Sequence, residues 1–237
     1  MRRCQRPLGF GSLNRTDPGR IRLGFVITRI LNQGTIMITI INVSPRTDGI
    51  NDQICDRLCK GIAPVTSEFQ YIKLRDLSLK FCTNCRACMR SPGKELGSCS
   101  LQDDMAGLLQ RMLQSKQIII SSPINCYDLP SLFRVVMERM GGCCYWSEEM
   151  YSPKVRAAPK GIKGVLITTS ALPGPMIPFL TGARKTFKLF VKPLGIKKIK
   201  YYHFGLKGRT IDRVLKENDR HRIEKIVGYI TGAFQKA

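Results

Sequence analysis

Four cysteines stand close together in the chain, Cys82, Cys85, Cys88 and Cys99, in the pattern C-x2-C-x2-C-x10-C. Three thiolates within seven residues can face one centre, and a fourth brought in by a short excursion completes the soft tetrahedral ligand set that zinc or a four-iron cluster takes. Adjacent Arg86 and Arg90 suit an anionic iron–sulfur centre, while Cys-x-x-Cys pairs also perform thiol exchange without metal. Cluster, zinc and metal-free thiols all stay open on the spacing. The other six cysteines, Cys4, Cys55, Cys59, Cys126, Cys143 and Cys144, are scattered. With no convincing secretory leader ahead of them, ten cysteines read as reduced thiols in a cytoplasmic protein rather than a disulfide framework.

Two further segments have the composition of ligand loops. Asn42-Val-Ser-Pro-Arg-Thr-Asp-Gly49 lies between a strand pattern and a helix pattern. A phosphate there would accept hydrogen bonds from Ser44, Thr47 and backbone amides, with Arg46 adding charge and the helix start its partial positive end; an ordinary turn is the plain alternative. The loop lacks the Gly-x-Gly-x-x-Gly and Gly-Lys-Ser/Thr patterns, which disfavours a Rossmann dehydrogenase or an ordinary nucleoside triphosphatase. Ser121–Pro130 follows a later strand and offers amides and Tyr127 to a flat ring, and Thr168–Met176 could close the other side of the same crevice. His203 and His221 are too few and too separated for a metal cage, though His203 at a strand end could approach the crevice. Tyr145 and Trp146 could cover a ring or a subunit boundary, or simply pack.

The elements that must position these loops alternate between branched-apolar runs and helical stripes, the sign of an α/β fold. Strands are expected at Met37–Val43, Phe69–Leu74, Gln117–Ser121, Gly164–Thr169 and Ile196–Phe204. Helices are expected through Ile54, Leu58 and Ile62; after a Ser100–Asp103 capping box that places Asp103 and Asp104 in the first turn; from Pro130 to about Met140; through Phe187, Phe190, Val191 and Leu194 up to Gly195; and over Thr210–Ile230 with Val214 and Leu215 as packing residues.

At 237 residues, with 43% hydrophobic and 24% charged, the chain can build one domain with a real core, which excludes a stapled miniprotein or a wholly disordered tail. Residues 1–36 are expected to be a basic extension outside the fold, or an organellar presequence, with Met37 as a candidate start of translation. The apolar stretch from Ile21 to Val43 contains Arg22 and Arg29, too costly for a bilayer span. The formal charge of +22 is uneven: residues 31–149 hold thirteen basic against twelve acidic residues, and residues 150–237 hold nineteen against four. That surface favours anionic ligands or acidic partners, but no recognition-helix motif or base-stacking array supports specific nucleic-acid binding.

Ser44-Pro-Arg-Thr-Asp-Gly49, Leu74-Arg-Asp-Leu77 leading into the cysteine run, Asp103-Asp-Met105, and Ser121-Ser-Pro123 through Glu138-Arg139 follow the order of one known family. Over roughly residues 37–204 the chain resembles the NADPH-dependent FMN reductases and iron–sulfur flavoproteins. The resemblance implies a flavodoxin-like three-layer sandwich with a five-stranded parallel sheet over residues 37–237, a cysteine-containing insertion at 81–100, and a homodimer or homotetramer. By the same resemblance Ser44, Arg46, Thr47 and Asn51 form the FMN phosphate side. Pro123, Ile124, Asn125, Cys126 and Tyr127 form the flavin-ring loop, with Thr169 and Ser170 facing it. Cys82, Cys85, Cys88 and Cys99 would hold a [4Fe-4S] cluster. The implied activity is electron transfer from NAD(P)H through FMN to a quinone, flavin or other small acceptor. The alternatives are an iron–sulfur flavoprotein exchanging electrons with ferredoxin or a similar acidic carrier, and a non-catalytic binding module of the same fold.

Overall fold

The computed structural model describes residues 38–156, 159, 161–207 and 214–232. The expected N-terminal extension, Met37, and Thr210 and Ile211 of the last expected helix lie outside the described residues. Five parallel strands form one sheet: β1 (Ile38–Asn42), β2 (Phe69–Lys73), β3 (Gln117–Pro123), and then, numbering past a small hairpin, β6 (Lys163–Thr169) and β7 (Lys198–Phe204). Their spatial order is β2-β1-β3-β6-β7. The hairpin pairs β4 (Cys144–Tyr145) antiparallel with β5 (Lys154–Val155).

The central strands are apolar at successive positions because both faces of the sheet are covered. Ile38 and Ile40 point to the layer of α1 (Ile50–Ile62) and α7 (Glu217–Thr231), joined there by Ile119, Val165, Ile54, Leu58, Ile223 and Ile226. Ile41, Ile118, Ile120 and Leu166 point the other way. There they meet α3 (Met105–Gln114), α4 (Ser131–Glu138) and α6 (Ala183–Val191), with the Phe133 and Phe190 rings 4.7 Å apart. The α/β sandwich is thus a flavodoxin-like three-layer fold, as the resemblance implies. Reversal of strand order on either side of β1 places the loops after β1 and β3 side by side at the carboxyl edge, where such sheets bind ligands.

Three local expectations are corrected. Ser100 and Asp103 form no capping box, and neither acid lies within α3: the N-cap is Asp104, whose side chain makes no cap bond. Both acids still serve the helix start, Asp103 Oδ1 accepting from Met105 N at 3.1 Å, and both carboxylates also staple it to the segment after β2, Asp104 Oδ2 accepting from Ser78 N at 2.7 Å and Asp103 Oδ2 from Lys80 N at 2.8 Å. The last helix begins at Glu217, leaving Leu215 buried ahead of it and Val214 exposed. Strand β3 runs two residues further than expected, to Pro123, because Ser122 and Pro123 continue the register with Thr168 and Thr169.

Candidate functional site

A cleft of about 300 Å³ opens at the carboxyl edge, between the loops that follow β1, β3 and β6. The first of these is shaped by its own polar side chains. Ser44 N donates to Asn42 Oδ1 at 2.9 Å, Arg46 N donates to Ser44 Oγ at 3.2 Å, and Asp48 takes φ 52° to turn the chain into α1. Beneath the loop lies a buried network centred on Asp52. Its carboxylate accepts from Asn42 Nδ2 (2.6 Å), Gly49 N (3.3 Å) and Arg75 Nη2 (2.9 Å), with Tyr71 Oη close by. Arg75 Nη1 also donates to the carbonyls of Ser44 and Arg46, at 3.1 and 3.0 Å. One guanidinium therefore holds the loop backbone from below, a task its rigid fork of donors suits. Burial pushes up the pKa of Tyr71 and lifts the nearby Cys55 thiol to about 12, so both stay neutral in this network.

Of the expected phosphate-side residues, Ser44, Arg46 and Asn51 line the cleft, while Thr47 is exposed on the loop and does not. The Arg46 guanidinium has no ion-pair partner among the described residues. Asn51 is a brace as well as a wall: it donates to Thr169 Oγ1 and accepts from Ser121 Oγ, both at 3.0 Å, tying α1 to the ends of β6 and β3.

Pro123, Ile124, Asn125, Thr169 and Ser170 also line the cleft. Cys126 and Tyr127 stand beyond it at the tip of a two-residue turn, closed by Asn125 N to Asp128 O (2.9 Å) and Asp128 N to Asn125 O (3.0 Å). Both tip residues are left-handed, at φ 47° and 64°, in a turn where Asn-Gly is usual. A strain of this kind, on the order of 1–2 kcal/mol per residue, persists only where the surroundings fix it. Asp128 supplies that fixation, its carboxylate accepting from Leu129 N and Thr186 Oγ1, both at 2.7 Å, while Gly182 N donates to Tyr127 O at 2.9 Å. The amides of Ile124, Asn125 and Asp128 are spent on backbone carbonyls; those of Cys126 and Tyr127 have no acceptor among the described residues.

His203 sits on β7 behind the third loop, its ring nitrogens 2.9 Å from Thr168 Oγ1 and 3.2 Å from Ser170 Oγ. Burial lowers its pKa, so it acts as a neutral spacer that positions Ser170. His221 is exposed on α7, 3.4 Å from Glu224.

The cysteine segment forms a separate lobe around the short helix α2 (Ala87–Arg90), none of whose residues is buried. Cys82 and Cys85 are exposed, Cys88 and Cys99 partly covered. Burial raises the Cys88 pKa, and the charges of Cys99, Cys82 and Cys85 raise it further, so the four thiols share one neighbourhood. Hydrogen bonds from Ser100, the Ala87 amide and Thr83 bring Cys85 down to about 7, toward the thiolate form a metal takes. Arg139 Nη2 donates to Cys99 Sγ at 3.5 Å from within a buried ion pair with Asp103 (2.6 Å). Arg86, expected beside an anionic centre, instead lies over the Trp146 ring at 4.5 Å. Among the described residues no three Cys, His, Asp or Glu side chains are gathered closely enough to hold a metal ion. The thiols thus suit a soft metal or cluster in kind and neighbourhood, without a closed ligand geometry.

Sequence reasoning missed Arg75, Asp52, Lys207 and the bracing carboxylate of Asp128. Arg75 lay within the Leu74-Arg-Asp-Leu77 motif, the one signal that could have drawn notice to it.

The family model described as NADPH-dependent FMN reductase matches residues 36–170, a span holding the three cleft loops' strands and the cysteine lobe. An iron–sulfur flavoprotein of Methanocaldococcus jannaschii is 29% identical over 99 residues, covering 42% of this chain and 49% of that protein. One of Clostridioides difficile is 26% identical over 107 residues, 44% of this chain and 45% of that protein. The chain thus spans about half the length of the curated relatives it matches. Among solved structures, an NAD(P)H:quinone oxidoreductase from Methanothermobacter marburgensis superposes with TM-score 0.59 at 14% identity, over 83% of this chain and 98% of that one. An FMN-dependent NADH-azoreductase from Bacillus anthracis, in complex with FMN, gives 0.58 at 13% identity, over 83% and 99%. These structural likenesses carry the fold, and the family match over more than half the chain carries membership: the chain belongs to the NADPH-dependent FMN reductase family.

Proposed function

We propose that the cleft binds FMN and that the protein passes electrons from NAD(P)H to a quinone, flavin or other small oxidised acceptor. The observation that carries this reading is the meeting of Arg46, without an ion-pair partner among the described residues, Ser44 and the start of α1 with the Pro123–Asn125 and Thr169–Ser170 walls in one cleft. The flavin, when bound, supplies the electron chemistry. Ser44, Arg46 and the first amides of α1 hold its phosphate. Pro123, Ile124 and Asn125 support the flat ring, Thr169 and Ser170 face it, and the amides of Cys126 and Tyr127, which have no acceptor among the described residues, donate to its polar edge. No side chain has to act as acid or nucleophile. The names of the solved neighbours, quinone oxidoreductase and azoreductase, fit a small acceptor. A flavin absorption band in purified protein, and FMN uptake by apo-protein in a fluorescence titration, test the reading; no uptake at saturating FMN removes it.

A second reading, electron exchange between FMN and a [4Fe-4S] cluster on Cys82, Cys85, Cys88 and Cys99, is favoured by the shared thiol neighbourhood and the Arg139–Cys99 contact. Its carrier would be an acidic ferredoxin drawn by the basic C-terminal third, and reduction by it would then weaken as salt rises. Iron and sulfide assays on anaerobically purified protein decide it, and absence of both returns the thiols to a metal-free role. The expected setting is the cytoplasm, with the cysteines held as reduced thiols. Assembly as a dimer or tetramer is the expected outcome of sedimentation.

A further inference from the structure

The cleft has one cationic wall outside the span of the family match. After β7 the chain passes against the Ser170–Gly174 loop so closely that a Cβ on Gly205 would fall 2.8 Å from both Leu172 O and Gly174 N. Leu206 takes φ 57°, and Lys207 N then donates to Ser170 O at 2.7 Å, which brings Lys207 to the cleft wall. Its ammonium pairs with Asp219 Oδ2 in the first turn of α7, and the two side chains are only 11% and 9% exposed. The same Asp219 oxygen accepts from Lys216 N at 3.0 Å. Leu215 N donates to Gln53 Oε1 on α1 at 3.2 Å, so the start of α7 is tied to the helix that opens beside Ser44 and Arg46.

We propose that Lys207 is a second cationic anchor for the phosphate of a flavin mononucleotide in this cleft, oriented for that task by Asp219. The inference rests on the flavin reading above. An ammonium has three donors and Asp219 engages it from one side, which leaves donors for a phosphate oxygen. Because the ammonium is already mostly desolvated and fixed, little ordering is lost when the ligand arrives. The charge comes from the C-terminal third of the chain, which gives part of that basic excess a local task.

Titration of FMN and of riboflavin into apo-protein, for wild type, Lys207→Met and Lys207→Arg, tests the assignment. Lys207→Met should weaken FMN by about ten- to a hundred-fold, the range for a charged hydrogen bond, and leave riboflavin, which lacks the phosphate, unchanged. Lys207→Arg should restore most of the loss. The pair Lys207→Met with Asp219→Asn leaves no orphaned carboxylate, so it keeps the test open if the single variant folds poorly, and should show the same selective loss. Equal losses for both ligands, or unchanged FMN affinity, overturn the proposal. So does a defect confined to the KM for NADPH relative to NADH, which would assign the charge to the electron donor. Wild type that binds no FMN sinks the cleft reading itself and this proposal with it; wild type that binds FMN while Lys207→Met binds it equally well sinks only the latter.

Discussion

The cleft at the sheet edge and the cysteine lobe are both made of loops, yet different forces hold them. Each cleft loop leaves a strand buried on both faces, and the one after β1 rests on the Asp52–Arg75–Asn42 network, so its shape follows from the packed sheet. The lobe has almost no apolar interior of its own: Phe81 is 76% exposed and α2 buries nothing. What holds it is backbone. Buried Arg156 donates to the carbonyls of Cys144, Gly93, Cys88 and Ser91, and Gly97 N donates to Gly142 O at 2.9 Å. A site on a sheet edge is formed before its ligand arrives. A lobe of carbonyl-to-arginine contacts is cheap to detach unless something binds its thiols.

The sharpest break of this contrast is Gly97→Ala. An added Cβ would lie 1.6 Å from Cys88 O, and one on Gly142 would lie 2.6 Å from Gly97 O, so two backbones occupy the space a side chain would need. Gly97→Ala should free residues 86–97 to proteolytic nicking and fast hydrogen exchange, while the sheet keeps its cooperative thermal unfolding. A variant nicked no faster than wild type would show that the lobe tolerates this displacement.

Arg139→Ala comes next, because Arg139 joins the lobe to the core. Its pair with Asp103 is 1% exposed on both sides, and removing one partner strands a buried charge, at a cost of about 3–5 kcal/mol in urea denaturation. Burial pushes the Asp103 pKa up, but bonds from Arg139, Lys80 N and Met105 N outweigh it and leave the carboxyl below its ordinary value. The stability it contributes is therefore complete above the unfolded-state value of about 4 and is lost as pH falls through its lower native value. Asp103→Asn should lower the urea midpoint at neutral pH and flatten the loss below about pH 4. A parallel acid limb in both proteins would count against this origin.

The same contrast explains what the sequence made legible. Strands β1, β3 and β6 announce themselves as unbroken branched-apolar runs because two layers cover them, and Gly195, at φ 70°, ends the α6 segment where the pattern puts it. The Ser44–Gly49 and Pro123–Asn125 loops could be found because they follow those runs. An acid three residues after a serine has the form of a capping box; Asp103 does accept from Met105 N at the helix start, but only the tertiary fold shows Arg139 claiming the same carboxylate. Arg75 and Lys207 were missed for a related reason: 23 residues separate Arg75 from Asp52, and Lys207 reaches the cleft only through the parallel crossover into β7. Local patterns do not register such pairings.

Arg75→Lys should act on the cleft as Arg139→Ala does on the lobe, but less severely. The ammonium keeps a charge for Asp52 but cannot also reach the Ser44 and Arg46 carbonyls as a fork does. The Ser44 carbonyl loses its donor and the Arg46 carbonyl keeps only the 3.3 Å bond from Ser44 Oγ, for about 1–2 kcal/mol of stability, and FMN affinity should fall with it as the loop loosens. Unchanged affinity in a direct titration would mean that the loop holds its shape without the guanidinium.

Arg46→Ala should have the smallest effect on folding and a plain effect on binding. The side chain is exposed and unpaired among the described residues, so stability should change by no more than about 0.5 kcal/mol. FMN affinity should nevertheless fall about tenfold, with a weaker salt dependence, since a charge aimed at phosphate is lost. Arg75→Lys, by contrast, should lose stability and affinity together while keeping the salt dependence. Separating the two variants in this way distinguishes a residue that binds the ligand from one that shapes its loop. If Arg46→Ala binds FMN as wild type does, the phosphate lies elsewhere in the cleft, and Lys207 becomes the cation to test first.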